Sequence, residues 1–208
     1  MTDVFLTINI LVYCGQVATW GKLLAWGAQV NHLIDKGQWW RLATSNFLHE
    51  NVTHLLLNCL GLNAIGPKVE AVAGPERFLL VYVTSGIASS AMSYRFNKAS
   101  SVGASGAFFG LVGYLAVHFL RHRGLTGDAD KGLDYIGQIL LYNMILGLMI
   151  KRIDYWAHVG GFLGGAAASW LLDPTGKLEY RSGDGRKAID DIKGTEDPGA
   201  ANESVHAI

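Results

Sequence analysis

The segment YWAHVGGFLGGAAASWLL, Tyr155 to Leu172, decides the fold class of this chain. It contains no Lys, Arg, Asp or Glu, and a helix needs roughly 17–25 predominantly apolar residues to cross a bilayer. Its glycines form two overlapping G-x-x-x-G pairs, Gly160 with Gly164 and Gly161 with Gly165. Such pairs let membrane helices approach closely. We therefore predict a transmembrane helix that packs tightly against a neighbour.

Other uncharged windows extend this interpretation to the whole chain. Half of the 208 residues are hydrophobic and only 16% are charged, against about 25% in soluble domains. The windows are Val4–Gly21, Phe78–Tyr94, Ala99–Leu120 and Tyr135–Ile150, with a shorter and more polar one at Val52–Pro67. A soluble protein with buried core helices is the alternative, but five long uncharged windows in one chain favour the membrane.

We predict an all-α, polytopic membrane protein with six transmembrane helices and a long first loop. The predicted helices cover roughly residues 4–20, 52–66, 77–95, 104–121, 134–150 and 155–172. Residues 1–172 form the membrane domain, and the polar, charged residues 173–208 are predicted to be a disordered tail. We expect no cleavable targeting segment, because no basic region precedes the first helix. Lys and Arg are spread too evenly to set the orientation.

The zero net charge gives no indication of a nucleic-acid partner. Cys14 and Cys59 lie in hydrophobic segments, so we expect them to be packing residues and not a disulfide pair.

Four polar residues lie near the beginnings of predicted helices 2, 4 and 6. They are His54 and Asn58, Ser105, and His158. These three helices run in the same direction, so their N-terminal ends share one side of the membrane. Because ionisable groups at membrane depth are costly, they mark a candidate functional site.

FLHENVTHLLLN, Phe47 to Asn58, resembles the zinc-protease signature H-E-x-x-H, but with one residue too many. On a helix, residues five apart differ by about 140°, so His49 and His54 are expected to point apart. We therefore predict no metal site. His54 and Asn58 are four apart and share a face, either as hydrogen-bond donors to a ligand or as a pair that joins helices.

Ser105 opens a predicted helix in SVGASGAFFG. The free N–H groups at a helix start favour a developing oxyanion, although a serine in a membrane helix is usually bonded to its own backbone. Gly106 and Gly110 of this helix, with the glycines of the last helix, favour a close contact. Such a contact would bring Ser105 within roughly 2.6–3.2 Å of a base at His158.

These residues resemble the rhomboid intramembrane serine proteases over Met1 to Leu172. The resemblance depends on WWR in the first loop, HLLLN, GASG and AHVGG, in this order and spacing. It implies Ser105 as nucleophile, His158 as general base, and His54, Asn58 and the N–H of Ser105 as the oxyanion hole. We predict no cofactor and no metal.

The resemblance assigns supporting roles as well. Phe109 stands where the family places an aromatic ring beside the base. Arg41 and Glu70 match structural positions, and Trp39, Trp40 and Arg41 are predicted to anchor the first loop at headgroup depth. Further structural positions are Gly106, Gly110, Gly161 and Gly165.

The implied substrates are single-pass membrane proteins, cut near the membrane surface. An inactive family member that binds membrane clients is the alternative, and a small transporter is a third possibility that would require paired halves or broken helices. Asp154, four residues before His158, leaves open a role for a carboxylate. RFNKASSVGASGAFFG and the polar extension resemble plant plastid members, which implies the chloroplast envelope.

Overall fold

The computed structural model describes residues 1–123, 129–149, 153–172, 178–179 and 188–189. The chain divides into two compact units, Met1–Asp173 and Pro174–Ile208. In the second unit, β1 (Leu178–Glu179) and β2 (Ala188–Ile189) pair antiparallel, with Leu178 opposite Ile189. The rest of the predicted disordered tail, 173–208, lies outside the described residues.

The described part of the first unit is helical. Its elements are α1 (Thr2–Ala18), α2 (Lys22–Gly27), α3 (Asn31–Ile34), α4 (Arg41–Thr44), a 3₁₀ turn (Ser45–Phe47), α5 (Val52–Phe96), α6 (Ser105–Arg121), α7 (Ala129–Met149) and α8 (Tyr155–Leu172). The mostly helical fold is thus confirmed. Within the described ranges, no helix combines the length and the apolar character needed to cross a membrane.

Predicted helices 2 and 3 are joined, where the sequence suggested a loop from Pro67 to Glu76. α5 is interrupted only at Gly74, whose φ of 77° and ψ of 168° are not helical. Glycine adopts positive φ without steric cost, and Pro75 starts the second arm where its missing N–H costs nothing. Pro67 removes one hydrogen bond without ending the helix. α5 therefore has two arms, residues 52–73 and 75–96.

The predicted interfacial anchor is wrong for Arg41. Arg41 is only 4% exposed, and its Nη1 donates to the carbonyls of Ala25 and Ala28 at 3.0 and 2.6 Å. These carbonyls end α2 and otherwise have no intrahelical partner. The guanidinium therefore holds the first loop together instead of facing headgroups. Trp40 stacks on Trp26 with ring centroids 5.9 Å apart, and both rings are exposed.

α6 is the central helix of the first unit, buried continuously from Gly106 to Ala116. Its glycines bring α8 into backbone contact. A Cβ atom added at Gly161 would lie 2.0 Å from the Gly106 carbonyl oxygen, and one at Gly165 would lie 1.7 Å from that of Gly110. Only glycine fits at this seam, which joins the beginnings of α6 and α8.

The second arm of α5 packs against the same glycines of α6. A Cβ at Gly106 would lie 1.9 Å from the Ser89 hydroxyl oxygen, and one at Gly110 would lie 2.0 Å from the Ser85 Cβ. On the first arm, Glu70 accepts hydrogen bonds from the Thr2 N–H at 3.0 Å and from its hydroxyl at 3.1 Å. This carboxylate attaches α1 to α5.

Candidate active site

Ser105 is the first residue of α6, and backbone contacts fix the loop before it. Ser101 and Gln29 exchange backbone hydrogen bonds of 3.0 and 3.1 Å, and the Gly103 N–H donates to the Ser45 carbonyl at 3.0 Å. Gly103 has a φ of 132°, which favours glycine. These contacts hold the Ser105 hydroxyl at one place at the start of the helix.

His158 lies in the first turn of α8, within reach of this hydroxyl. Its Nε2 is 3.0 Å from the Ser105 Oγ, a hydrogen-bonding distance for a nucleophile and its base. The structure thus brings these two predicted residues together across the glycine seam. With Nε2 as acceptor, the serine hydroxyl is the donor.

Phe109 stacks on the imidazole of His158. The ring centroids are 4.2 Å apart and the planes differ by 20°. Phe109 is one turn after Ser105 on α6 and only 4% exposed, so its ring is held by the core. The stack restricts rotation of the imidazole at the place that the resemblance implied.

His54 lies beside the serine, at the beginning of α5. The side chain of Asn51 caps this helix, because its Oδ1 accepts the His54 N–H at 2.9 Å. The His54 ring packs against Gly103, since a Cβ added there would lie 2.8 Å from its Nε2 and 3.8 Å from the Ser105 Oγ. The imidazole is therefore close to the nucleophile.

Asn58 faces the same cavity, but part of its hydrogen-bonding capacity is used within α5. Its Nδ2 donates to the His54 carbonyl at 2.8 Å, which occupies one of its two amide hydrogens. The cavity measures about 1070 Å³ and brings together all five residues of the predicted chemistry: His54, Asn58, Ser105, Phe109 and His158.

His49 and His54 do not point apart, which corrects the sequence-based expectation. Their ring centroids are 5.4 Å apart and the rings meet edge to face at 73°. The rotation of 100° per residue does not apply to His49, because it precedes α5 and Asn51 is extended with a φ of −157°. The Gln16 side chain holds the His49 backbone through bonds of 2.8 and 3.0 Å.

The electrostatics of His49 do not favour a charged ring. Burial, and secondly the nearby His54, lower the pKa of His49 to about 4, although the Phe47 backbone acts in the opposite direction. The ring is therefore neutral at physiological pH. Across the described ranges, no three His, Cys, Asp or Glu side chains are grouped to hold a metal ion.

Sequence reasoning missed a polar network beside the dyad. The carboxylate of Asp154 accepts hydrogen bonds from the Ser93 hydroxyl and from the Ala157 N–H. Asp154 had one signal, its spacing from His158, whereas Ser93 and Gln29 carry no charge or motif to single them out.

Comparison with known proteins identifies the family of the chain. The model of the Rhomboid domain family matches residues 36–174. The chain belongs to the rhomboid family. It is 37% identical to Rhomboid protease GluP of Bacillus subtilis over 86% of this chain and 36% of that protein. It is 37% identical to RHOMBOID-like protein 7 of Arabidopsis thaliana over 72% of this chain and 46% of that one.

A third relative of this rhomboid chain is RHOMBOID-like protein 2 of Arabidopsis thaliana, 38% identical over 67% of the chain and 44% of the relative. The chain spans less than half the length of each of these three proteins.

Proposed function

We propose that this rhomboid chain is an intramembrane serine endopeptidase that cleaves single-pass membrane proteins near the membrane surface. The observation that carries the proposal is the 3.0 Å contact between the His158 Nε2 and the Ser105 Oγ inside the cavity. Two residues 53 positions apart meet there, each in the first turn of its helix.

The contact supports acyl transfer. Ser105 Oγ attacks the carbonyl carbon of the scissile peptide while His158 Nε2 takes the hydroxyl proton. The tetrahedral intermediate collapses to an acyl-serine, and His158 gives the proton to the leaving amine. Water then attacks the acyl-serine with His158 again as base, which releases the new carboxyl end and restores Ser105.

The surrounding donors suit the negative charge that develops on the carbonyl oxygen. The backbone N–H of Ser105 belongs to the first turn of α6 and is among the groups without an intrahelical acceptor. His54 and Asn58 reach the same cavity from α5. Losing one oxyanion donor typically costs about 2.7–4 kcal/mol of transition-state stabilisation.

The Phe109 stack gives the base a fixed orientation. Hydrolases of the serine class commonly use a buried carboxylate for this purpose, which would be expensive in a membrane. An apolar ring that touches the imidazole at a centroid distance of 4.2 Å avoids that cost.

We further propose the six-span topology, with the dyad close to one membrane surface. His54, Asn58, Ser105 and His158 all lie within the first two turns of α5, α6 and α8, so they would share one depth. A substrate helix would unwind near that surface, where water reaches the cavity. The chloroplast envelope remains a prediction, because the chain is 37% identical both to a bacterial relative and to a plant relative.

The test is cleavage by the full chain in proteoliposomes, against a panel of single-span membrane proteins. We expect cleavage of at least one substrate, its loss in Ser105→Ala, and no effect of EDTA. Binding of the substrates without cleavage would favour the inactive client-binding alternative. Inhibition by EDTA that added zinc reverses would favour a metal mechanism instead.

A further inference from the structure

The carboxylate of Asp154 lies where α8 begins and α5 ends. Its Oδ1 accepts the Ala157 N–H at 3.0 Å, which caps the N-terminus of α8. Its Oδ2 accepts the hydroxyl of Ser93, near the end of the second arm of α5. One side chain therefore fixes the start of the helix that carries His158 against a second helix.

The same hydrogen-bond chain continues toward the nucleophile. The Ser93 Oγ accepts from the Gln29 Nε2 at 3.0 Å. Gln29 in turn exchanges two backbone hydrogen bonds with Ser101, at 3.0 and 3.1 Å. Ser101 is four residues before Ser105, just as Asp154 is four residues before His158. The network thus joins the two segments that lead into the dyad.

Two members of this hydrogen-bond network are buried, and Asp154 is held in its charged form. Gln29 is 1% exposed and Ser93 is fully buried. Burial raises the pKa of Asp154, but hydrogen bonds from Ser93, Asn97, Ala157 and Ser101 together hold it below its ordinary value. Two of these donors, the Ser93 hydroxyl and the Ala157 N–H, each bond to a different carboxylate oxygen.

We propose that Asp154 is a positioning residue, whose carboxylate locks together the segments preceding Ser105 and His158 and so keeps the dyad at bonding distance. This inference rests on the proposed protease function. Asp154 lines the same cavity as the dyad, but its two carboxylate oxygens are bonded to Ser93 and Ala157, so we assign it no share in proton transfer. A misplacement of about 1 Å at a reacting pair can cost roughly 10²-fold in rate, so a small shift of α8 suffices for a large effect.

The test compares Asp154→Ala and Asp154→Asn in the full chain in proteoliposomes. Asp154→Ala removes every acceptor, and we expect kcat to fall about 10- to 100-fold with KM within about twofold. Asparagine caps helices about as well as aspartate. Its amide oxygen accepts the Ala157 N–H and its amide nitrogen donates to the Ser93 hydroxyl. We therefore expect Asp154→Asn to stay within about fivefold of wild type.

Asp130→Ala is the matched control. Asp130 is also a carboxylate near the start of a helix, α7, but its side chain is 69% exposed and its ion pair is with Arg123 at 2.8 Å. We expect wild-type kcat and KM for this variant.

The kinetics of these variants either support the positioning role of Asp154 or overturn it. Wild-type kcat in Asp154→Ala overturns the inference, and so does an equal loss in Asp154→Asn, which would assign the effect to charge and not to position. If Asp154→Ala does not fold, Ser93→Ala carries the test. It breaks the chain in the middle and leaves the cap of α8 in place, so we expect kcat about 3- to 10-fold lower, and an unchanged kcat overturns the inference.

Ser105→Ala, assayed in parallel, separates the two proposals. Cleavage that persists in Ser105→Ala rejects the protease mechanism itself. Loss of cleavage in Ser105→Ala together with full activity in Asp154→Ala rejects only the positioning role.

Discussion

α7 and α8 both pack against α6, and they do so in different ways. α8 meets it backbone to backbone, with glycines on both sides that leave no room for a Cβ atom. α7 meets it through side chains: a Cβ added at Gly132 would lie 2.5 Å from the Phe119 ring. Both α7 and α8 line the cavity.

The difference in packing between α7 and α8 matches the position of the proposed general base. His158 is on the tightly packed α8, because the distance between a base and its nucleophile can vary by only a few tenths of an ångström around about 3 Å. α7 contributes Asn143 and Leu146 to the cavity wall, where no reacting pair has to be kept in register. The cavity therefore has one wall that packs on α6 through backbone contacts and one that packs on it through side chains, and the following predictions test this contrast.

The largest contrast is expected between His158→Ala on α8 and Leu140→Ala on α7. Removing the base is expected to lower kcat by about 10⁴-fold, the upper end of what a positioned general base contributes. Leu140 is 36% exposed, so its truncation should leave kcat within about twofold. Steady-state cleavage kinetics with both variants measure the contrast, and equal losses would abolish the distinction between the two helices.

Next in size is the effect of the oxyanion donors on α5. We expect His54→Ala to lower kcat about 10²- to 10³-fold. Asn58→Ala should cost less, about 10-fold, because one Asn58 N–H is already bonded to the His54 carbonyl. The same kinetics rank the two variants, and a larger loss in Asn58→Ala would contradict the ranking.

The glycine seam itself is tested by Gly165→Ala. The new Cβ would lie 1.7 Å from the Gly110 carbonyl oxygen, so α6 and α8 must separate. We expect a stability loss of about 1–3 kcal/mol from overpacking, seen as a lower thermal unfolding temperature, and slower cleavage.

Gly137→Ala on α7 is the control for this substitution. Nothing lies within 4 Å of its added Cβ, so alanine should leave stability unchanged or raise it by up to about 1 kcal/mol. If both variants lowered the unfolding temperature equally, close packing would not distinguish the two walls.

The smallest effect is expected for Phe109→Leu. The aromatic stack on His158 is worth about 0.5–1.5 kcal/mol, which corresponds to a 2- to 10-fold loss in kcat. Leucine keeps the site apolar, so the unfolding temperature should change little. No change in kcat would show that the ring does not orient the base.

Much of the site was predictable because polar residues are conspicuous in uncharged segments. Ser105, His158 and His54 stood out for this reason, and the spacing of the glycines predicted which helices touch. Because predicted helices 2, 4 and 6 run in the same direction, the sequence also predicted that their N-terminal ends lie on the same side of the membrane. These inferences need only the helical period and the cost of burying polar groups.

The remaining features depend on tertiary contacts that leave no pattern in the chain. Arg41 resembled a headgroup anchor, since nothing local shows that the end of α2 folds onto its guanidinium. The direction of His49 depends on the extended residue before α5. Gly74 ends one arm of α5 later than Pro67 suggested. Ser93 and Gln29 acquire a role only when Asp154 folds against them.

The central claim is that Ser105 is a nucleophile activated across the α6–α8 seam, and the most direct measurement is the site of reaction with a fluorophosphonate probe. Mass spectrometry of the labelled protein should place the adduct on Ser105, with no adduct in Ser105→Ala and much slower labelling in His158→Ala. An adduct on another residue, or labelling of Ser105→Ala at the wild-type rate, would contradict the account.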